Sequence, residues 1–407
     1  MRPVLALILH PAAPADAGPL VRALAEARRA LAERQRAAFL AAGADAAEVV
    51  AGGPDGLSFG RRLRLLIGTR PGGNGASDAD HAAGASPGPG PGDASGPVRV
   101  GRPFPGGLVV LGSGSIPLAR ASDLRLFVEV AAGPGGRALA NNRYSADVVA
   151  ISRPADLRDL PPLPADNALP RWLEERAGVA VTDLRSLWRL GVDVDTPLDL
   201  ILLRDPAAGG LLATAPLVGE RLAALAEVLS NRRAELLVAG RVSATTLKWL
   251  ERGVACRVRA LVEERGLRAA SRLAQSGAVT VARPPRSVLG EVLDRDGPES
   301  LAATLAGLAD AAVIDTRVLM AHRSGTGDGI AEPPDLPAAR PGSAWPGAED
   351  RFSSDLLLPA AIADAWLRSL TSSALSAPSD HPILLGGHTL VNGGLRLLAT
   401  RARAGAR

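Results

Sequence analysis

The chain has 407 residues, of which 47% are hydrophobic and 22% are charged, and this composition indicates a soluble globular protein rather than a disordered one. Its 46 basic residues nearly balance its 42 acidic residues, and no basic run is interleaved with aromatic residues, which argues against a nucleic-acid-binding surface. The single cysteine, Cys256, rules out an intrachain disulfide and a cysteine-rich zinc site, and the length predicts two domains.

The chain opens on an apolar run of six residues at 4–9. A signal peptide needs an apolar region of about seven to fifteen residues, so the run predicts a buried first strand instead. No other stretch has the length of a membrane-spanning helix. We therefore expect a cytoplasmic protein that binds neither a membrane nor nucleic acid.

Strands and helices are predicted to alternate through residues 1–204. Further strands are predicted at 48–51, 108–111, 147–151 and 179–181. Helices are predicted at 19–42, 58–67, 122–132, 167–177 and 184–190. The helix at 19–42 has the clearest signal, because its apolar residues recur every three to four positions. Alternation of this kind favours an α/β domain with a mostly parallel sheet.

A second α/β domain is predicted over 211–407, after a linker at 206–210. Its helices are predicted at 216–230, 244–252, 259–275 and 298–309, and its strands at 235–239, 312–315 and 382–385. The glycine pairs of 386–394 predict a strand that passes through a turn into a final helix. Two segments rich in glycine and proline, 71–98 and 324–348, are expected to be a disordered loop and a flexible insertion.

One run, from Asp193 to Leu200, combines two kinds of signal. Asp193 and Asp195 point the same way if the chain is extended there, which suits a divalent metal held against phosphate oxygens. Thr196 is typical of a helix N-cap, with Pro197 at the first helical position and Asp199 in the first turn. The alternative is that the run does nothing more than cap a surface helix.

A second motif, Gly-Ser-Gly-Ser-Ile-Pro at 112–117, follows the third predicted strand. With the Asp-x-Asp-Thr-Pro-x-Asp-Leu run at 193–200, it makes residues 1–204 resemble the nucleotidyltransferases of the glycosyltransferase-A-like fold. The nearest members are molybdenum cofactor guanylyltransferases and 2-phospholactate guanylyltransferases. Two positions depart from that family: Ser115 replaces its metal-binding Asp, and the opening loop at 10–16 lacks a lysine and a close glycine pair.

The resemblance implies a three-layer, mostly parallel sheet and an Mg²⁺-dependent nucleotidyltransferase. Asp193 and Asp195 would hold the metal, and the nucleoside triphosphate would react with a small phosphorylated metabolite. The strand-end residues Ser113, Gly114 and Ser115 would contact the nucleotide or substrate. The alternative is a non-catalytic nucleotide- or metabolite-binding protein on a degenerate version of this fold.

The loop before the strand at 147–151 carries further candidate substrate contacts. Asn142, Arg143 and Tyr144 offer an amide, a guanidinium and the only tyrosine of the chain, where a loop can present them. Equally, these side chains could pack on their own loop.

The second domain resembles no family, and its candidate site is a set of residues near strand or helix ends: Asp315, Arg317, His322, Asp355 and His388. They could converge on a metal or on an acid–base pair, which would make the protein a hydrolase with its site in this domain. The glycines around His388 would allow the backbone to approach a ligand closely. The sequence leaves the oligomeric state open.

Overall fold

The computed structural model describes residues 2–52, 57–68, 106–157, 159–163, 166–263, 285–325 and 344–405. The segment predicted to be disordered, 71–98, lies outside these residues, as do 326–343 of the predicted insertion at 324–348. Within the described ranges, no helix has both the length and the apolar character needed to cross a membrane.

The first half contains a six-stranded sheet with the order β2-β1-β3-β5-β4-β6. Its strands are β1 (Val4–Pro11), β2 (Ala46–Gly52), β3 (Gly107–Gly112), β4 (Arg137–Ala140), β5 (Val148–Ile151) and β6 (Ala180–Asp183). The sheet is mixed, because β5 runs antiparallel to both of its neighbours while the other pairings are parallel.

The second half contains a four-stranded, entirely parallel sheet with the order β10-β9-β7-β8. Its strands are β7 (Glu235–Gly240), β8 (Arg257–Val262), β9 (Ala311–Asp315) and β10 (Ile383–Gly386). Both halves therefore confirm the predicted α/β class.

Helices of both halves surround the two sheets. Those before β7 are α1 (Pro19–Ala41), α2 (Phe59–Leu66), α3 (Ala121–Ala132), α4 (Leu169–Glu175), α5 (Pro197–Leu203), α6 (Ala208–Thr214) and α7 (Pro216–Ser230). Those after it are α8 (Ala244–Gly253), α9 (Val288–Asp296), α10 (Leu301–Ala306), α11 (Thr316–Ser324), α12 (Ala348–Asp355), α13 (Ala365–Ser376) and α14 (Leu395–Gly405).

Four local predictions are wrong. Residues 257–262 form strand β8 rather than the start of a helix at 259–275, whose remainder from 264 lies outside the described residues. The helix predicted at 184–190 is a single 3₁₀ turn at Trp188–Gly191. The linker predicted at 206–210 contains the start of α6. The glycine turn predicted within 386–394 is a π-helical turn, Leu390–Gly394, that continues directly into α14.

The error at β8 has a simple cause. Arg257 and Arg259 alternate along the strand, and both pair with Glu235 on β7, at 3.1 and 3.3 Å. Charges at this spacing point to one face of a strand, but a dense charge run of this kind is also typical of an exposed helix. The sequence signal was therefore ambiguous between the two structures.

The largest cluster of buried apolar side chains belongs to both halves. It combines one stripe of α1 (Leu20, Leu24 and Leu31), the buried face of α5, and the residues that cover the four-stranded sheet. Two smaller clusters lie on the two faces of the six-stranded sheet. As a result, α1 and the run at 193–200 lie between the two sheets, at the place where the candidate site is found.

The N-terminus of α1 depends on a residue far away in the sequence. Its N-cap residue is Gly18, which has no side chain to cap the helix. Instead, the carboxylate of Glu349 on α12 accepts hydrogen bonds from the backbone N–H groups of Leu20 and Val21, at 3.0 and 3.1 Å. A Cβ at Gly18 would lie 2.3 Å from the Glu349 carboxyl carbon, so a side chain there would displace the carboxylate from the helix N-terminus.

We expect Glu349→Ala to lower the free energy of unfolding by about 1 kcal/mol, because it leaves two helix N–H groups without their acceptor and removes a negative charge from the helix N-terminus. Glu349→Gln keeps one acceptor oxygen and should lose less. Urea unfolding of the three proteins measures the difference. Equal stability of Glu349→Ala and the wild type would contradict this capping role.

The thiol of Cys256 is buried, and burial raises its pKa to about 11. Because the thiolate is the reactive form, we expect iodoacetamide to modify the native protein at pH 8 more than about tenfold more slowly than the same chain in guanidinium chloride. Modification should accelerate as the pH approaches 11. Mass spectrometry follows it at one site per chain, and rapid modification of the native protein at pH 8 would contradict the prediction.

Candidate functional site

The two motifs of the first half meet in the structure. Asp193 and Ser115 form an isolated antiparallel β-bridge, and the N–H of Val194 donates to the carbonyl of Gly114 at 2.9 Å. A Cβ at Gly114 would lie 2.6 Å from the Val194 carbonyl oxygen, so only glycine permits this approach. The end of β3 is thereby fixed beside the acidic pair.

The other strand-end side chains are held inside the first half. Ser113 and Ser115 are both buried, at 2% and 6% exposure. The Ser113 hydroxyl bonds to Nδ1 of His10 at 3.1 Å, and Gln35 donates to the carbonyl of Ser115. Burial, followed by the charges of nearby arginines, lowers the pKa of His10, so this imidazole is neutral at physiological pH.

The capping prediction for the run at 193–200 is confirmed. The Asp199 N–H donates to the Thr196 hydroxyl at 3.3 Å, and the Asp199 carboxylate accepts from the N–H groups of Thr196 and Asp195, at 2.7 and 2.9 Å. This capping box starts α5, with Pro197 at its first position. Capping thus accounts for Thr196, Pro197 and Asp199, while the side chains of Asp193 and Asp195 take no part in it.

Those two carboxylates meet His388 of the second half. Nε2 of His388 lies 3.4 Å from Oδ2 of Asp193, and its Nδ1 lies 3.9 Å from Oδ2 of Asp195. The ligand atoms of all three lie within 4.8 Å of one another, a spacing that could hold a metal ion. Oδ1 of Asp193 is buried and has no hydrogen-bond partner among the described residues.

The pKa values of Asp193, Asp195 and His388 are shifted in different directions. Partial desolvation opposes ionisation of Asp195, whose side chain is half exposed, but Arg28, whose Nη2 lies 2.7 Å from Oδ1, and other nearby cations outweigh it and lower its pKa. Burial raises the pKa of Asp193 despite the neighbouring imidazole. For His388, burial lowers the pKa, but the Asp193 carboxylate outweighs it and raises the pKa to about 9. At neutral pH the raised pKa of His388 therefore favours an imidazolium beside Asp193.

Asp195 and His388 open into a cleft of about 390 Å³ to which both halves contribute. The first half provides the end of β1 and the loop after it, residues 11–14, and one face of α1. The second half provides the start of α12 and the residues that follow β7, β9 and β10. Four arginines line this cleft, namely Arg28, Arg241, Arg317 and Arg351.

The parallel sheet explains why the second half converges here. β10, β9 and β7 are parallel neighbours, so their carboxyl ends lie along one edge, where α/β sheets bind ligands. Arg241 follows β7, Arg317 follows β9 and His388 follows β10, each within two residues of the strand end. The edge therefore delivers two guanidinium groups and the imidazole to the same cleft.

The second predicted site does not form as one constellation. Asp315 is fully buried and accepts a bidentate pair of hydrogen bonds from Arg241, at 2.5 and 3.0 Å. Arg317 pairs with Asp355.

His322 does not line the cleft; it bonds to Asp294 and to the N–H of Ser287. Of the five predicted residues, only Arg317 and His388 line the cleft.

His322 belongs to a second cluster, with Glu291 and Asp294, whose ligand atoms also lie within 4.8 Å of one another. Because the Ser287 N–H donates to Nδ1 at 3.1 Å, Nε2 of the neutral imidazole carries the proton, and it faces Oδ2 of Asp294 at 3.2 Å. A metal ligand needs a free lone pair on that nitrogen. The cluster is therefore better explained as a hydrogen-bonded pair than as a metal site.

The predicted recognition loop makes its contacts within the first half. The Asn142 side chain accepts a hydrogen bond from the Tyr144 N–H at 3.0 Å. Arg143 pairs with Glu174 on α4, and the guanidinium groups of Arg143 and Arg185 lie 5.7 and 5.2 Å from the Tyr144 ring centre. These are the contacts of a polar loop packed on its own surroundings, and none of its three predicted residues lines the cleft.

Sequence reasoning predicted Arg317 but missed the other three arginines of the cleft and two further acids, Asp147 and Asp166. Burial and the charge of Asp193 raise the pKa of Asp166 to about 6, and the same causes raise that of Asp147. The one usable signal was positional, since Arg241 directly follows a predicted strand.

Comparison of this chain with protein-family models, with curated proteins and with solved structures returned no significant match.

Proposed function

We propose that the protein is an Mg²⁺-dependent nucleotidyltransferase that acts on a small phosphorylated metabolite. The observation that carries the proposal is one juxtaposition: Asp195, which lies beside the buried Asp193, faces four arginines in a cleft between the two halves. Carboxylates that hold a divalent cation and guanidinium groups that bind phosphate are the two parts that phosphoryl-group chemistry requires.

The two carboxylates of the site suit the cation, whereas His388, which is protonated beside Asp193, would have to release that proton before it could be a ligand. The two acids offer carboxylate oxygens, which Mg²⁺ prefers, and the buried Oδ1 of Asp193 has no other partner within the described residues. Bound there, Mg²⁺ would supply positive charge against the phosphate oxygens of the triphosphate. Ser115 is bridged to Asp193 through its backbone, so the position that is acidic in the resembling family is filled here by a buried hydroxyl.

The chain's own groups would orient the site. Arg28 holds Asp195 in place through its carboxylate and through the Val194 carbonyl, and Asp199 fixes the backbone of Asp195. In the reaction, a phosphate oxygen of the acceptor attacks the α-phosphorus, a new P–O bond forms, and the bond to pyrophosphate breaks. The attacking oxygen is already ionised, so no general base is required.

The alternative is a binding protein without catalytic activity, and two observations favour it. Ser115 is a far weaker cation ligand than the aspartate it replaces, and residues 10–16 provide no lysine near the phosphates. Such a protein would bind a nucleotide or a phosphorylated metabolite in the same cleft and would release no pyrophosphate.

The test is a thermal-unfolding screen of the four common nucleoside triphosphates, each with Mg²⁺ and with a chelator. A ligand that binds only the folded state raises Tm with its occupancy, so we expect one triphosphate to raise Tm only when Mg²⁺ is present. Asp195→Asn should abolish that shift. The matched control is Asp205→Asn, because Asp205 also pairs with an arginine of α1, Arg34, at 2.9 Å.

Pyrophosphate release in the presence of candidate phosphorylated acceptors then distinguishes the two functions. Release that requires both Mg²⁺ and the acceptor supports the transferase. A Tm shift without release supports the binding protein. No shift with any triphosphate would contradict both roles for Asp193 and Asp195.

A further inference from the structure

Three arginines of the second half line the cleft together with Asp195 and His388: Arg241, Arg317 and Arg351. They come from three different elements, since Arg241 follows β7, Arg317 lies in the first turn of α11 and Arg351 lies on α12. No motif of the first half accounts for them.

Arg241 and Arg317 are each held in place by a buried carboxylate that does not line the cleft. Asp315 binds Arg241 through Nε and Nη2, and Asp355 binds Arg317 at 2.6 and 2.7 Å. Both carboxylates are fully buried, and Arg317 itself is only 5% exposed. Bidentate pairs of this kind fix the plane of a guanidinium as well as its position, so these two groups lose little side-chain entropy when a ligand binds.

Arg351 is held at the cleft in a different way. Its Nη1 donates to the Pro346 carbonyl at 2.6 Å, and its guanidinium lies 6.0 Å from the centre of the Trp345 ring. The side chain is only partly buried, so it is the member of the three that can be replaced with the least effect on folding.

The charge of the cleft wall favours an anion. Asp315 and Asp355 neutralise Arg241 and Arg317, yet neither carboxylate lines the cleft. The cations therefore face the cleft and their counter-charges lie behind its wall. The acids that do line it, Asp195 and Asp199, belong to the first half. The first half therefore contributes the carboxylates of the cleft, with Arg28 beside them, and the second half contributes three guanidinium groups.

The sheet topology places this cationic side where α/β proteins bind ligands. From β7 the chain moves to β8 on one side, and then crosses to β9 on the other side of β7. This reversal makes the gap between β7 and β9 a topological switch point, outside whose carboxyl ends a crevice forms. Arg241 and Arg317 lie at the two sides of that crevice.

We propose that Arg241, Arg317 and Arg351 form a phosphate-binding site that the second half contributes to the cleft. Guanidinium groups held in fixed planes match the oxygens of a phosphate group. The phosphate comes either from the acceptor metabolite or from the pyrophosphate portion of the triphosphate; this choice rests on the proposed function, whereas phosphate binding itself does not.

The experiment measures the binding of inorganic phosphate and of pyrophosphate by calorimetry, in chelator and without nucleotide. We expect the wild type to bind at least one of the two anions. Arg351→Gln and Arg241→Lys should each weaken binding about tenfold, because the first removes a charged donor and the second keeps the charge but loses the planar fork. The matched control is Arg323→Gln: Arg323 lies 5.1 Å from the Trp366 ring centre, pairs with Asp364 and does not line the cleft.

Further titrations in the presence of Mg²⁺ and the stabilising triphosphate identify the source. Pyrophosphate that competes with the triphosphate assigns the site to the departing group, whereas phosphate that binds the triphosphate-loaded protein assigns it to the acceptor. The proposal is overturned if neither anion binds in chelator, if both arginine variants bind as the wild type does, or if Arg323→Gln weakens binding equally. Because chelator and the absence of nucleotide remove any role of Asp193 and Asp195 as cation ligands, failure of the nucleotidyltransferase would leave this result unchanged.

Discussion

Replacing Asp355 with alanine should lower the free energy of unfolding by about 3–5 kcal/mol, which is the usual cost of removing one partner from a buried ion pair. Asp355 is fully buried and binds both Nη atoms of Arg317, which is itself 5% exposed. Burial raises the pKa of Asp355 and the guanidinium opposes that rise. Without the carboxylate, the Arg317 charge would remain in a poorly solvated position.

Chemical denaturation of the wild type and of Asp355→Ala measures this loss. The control is Asp296→Ala, since Asp296 pairs with Arg295 at the exposed end of α9, where water solvates both charges and no measurable change is expected. A second variant, Asp355→Leu combined with Arg317→Met, should recover much of the lost stability, because two apolar side chains can fill the space of a buried pair. The recovered protein should bind phosphate weakly. Full stability of Asp355→Ala would contradict the charged pair.

Replacing Gly393 with alanine should cost about 1–3 kcal/mol, the range for an added methyl group in a well-packed core. A Cβ at this position would lie 2.3 Å from Cγ2 of Val192, a fully buried and stiff β-branched side chain. Val192 directly precedes Asp193. The variant should therefore also weaken the Mg²⁺-dependent Tm shift, because it moves the acidic run away from His388.

Denaturation of Gly393→Ala alone and combined with Val192→Ala checks the contact. In the double variant the new methyl group enters the space that the valine vacates, so its loss of stability should be smaller than the sum of the two single losses. The matched control is Gly210→Ala in α6, where a Cβ would meet nothing within 4 Å; it should stabilise the helix by up to about 1 kcal/mol. Strict additivity of the two single effects would show that the methyl group added at position 393 does not clash with Val192.

Local chemistry made parts of this structure predictable. The apolar run of β1 has a strand's length, and the Thr196–Asp199 capping box is complete within four residues, so both could be recognised without tertiary information. By contrast, β4 has only four residues and is stabilised by its pairing with β5 and β6. The spacing of the arginines in β8 is equally compatible with a helix, and only their contacts with Glu235 on β7 identify the strand.

Only the part of the site that lies in a local motif could be predicted from the sequence. Asp193 and Asp195 belong to a local motif, and the family resemblance implies that they lie near Ser115, as the β-bridge between Asp193 and Ser115 shows. His388 and Arg241 reach them only through the order β10-β9-β7, which no short-range pattern encodes. The glycines at 393 and 394 signalled close approach correctly, but the approaching groups are Val192 and Leu202 rather than a ligand.

The apolar cluster shared by α1, α5 and the four-stranded sheet has a consequence for how the cleft would operate. A hinge between the halves would have to separate Leu20 and Leu24 from the partners with which they are buried, at a cost of about 25 cal/mol for each Å² exposed. The opposed acidic and cationic sides are therefore held at a fixed separation before any ligand arrives. The charges are thus aligned when the protein folds, and binding needs little reorganisation of either half. Such a site is preorganised.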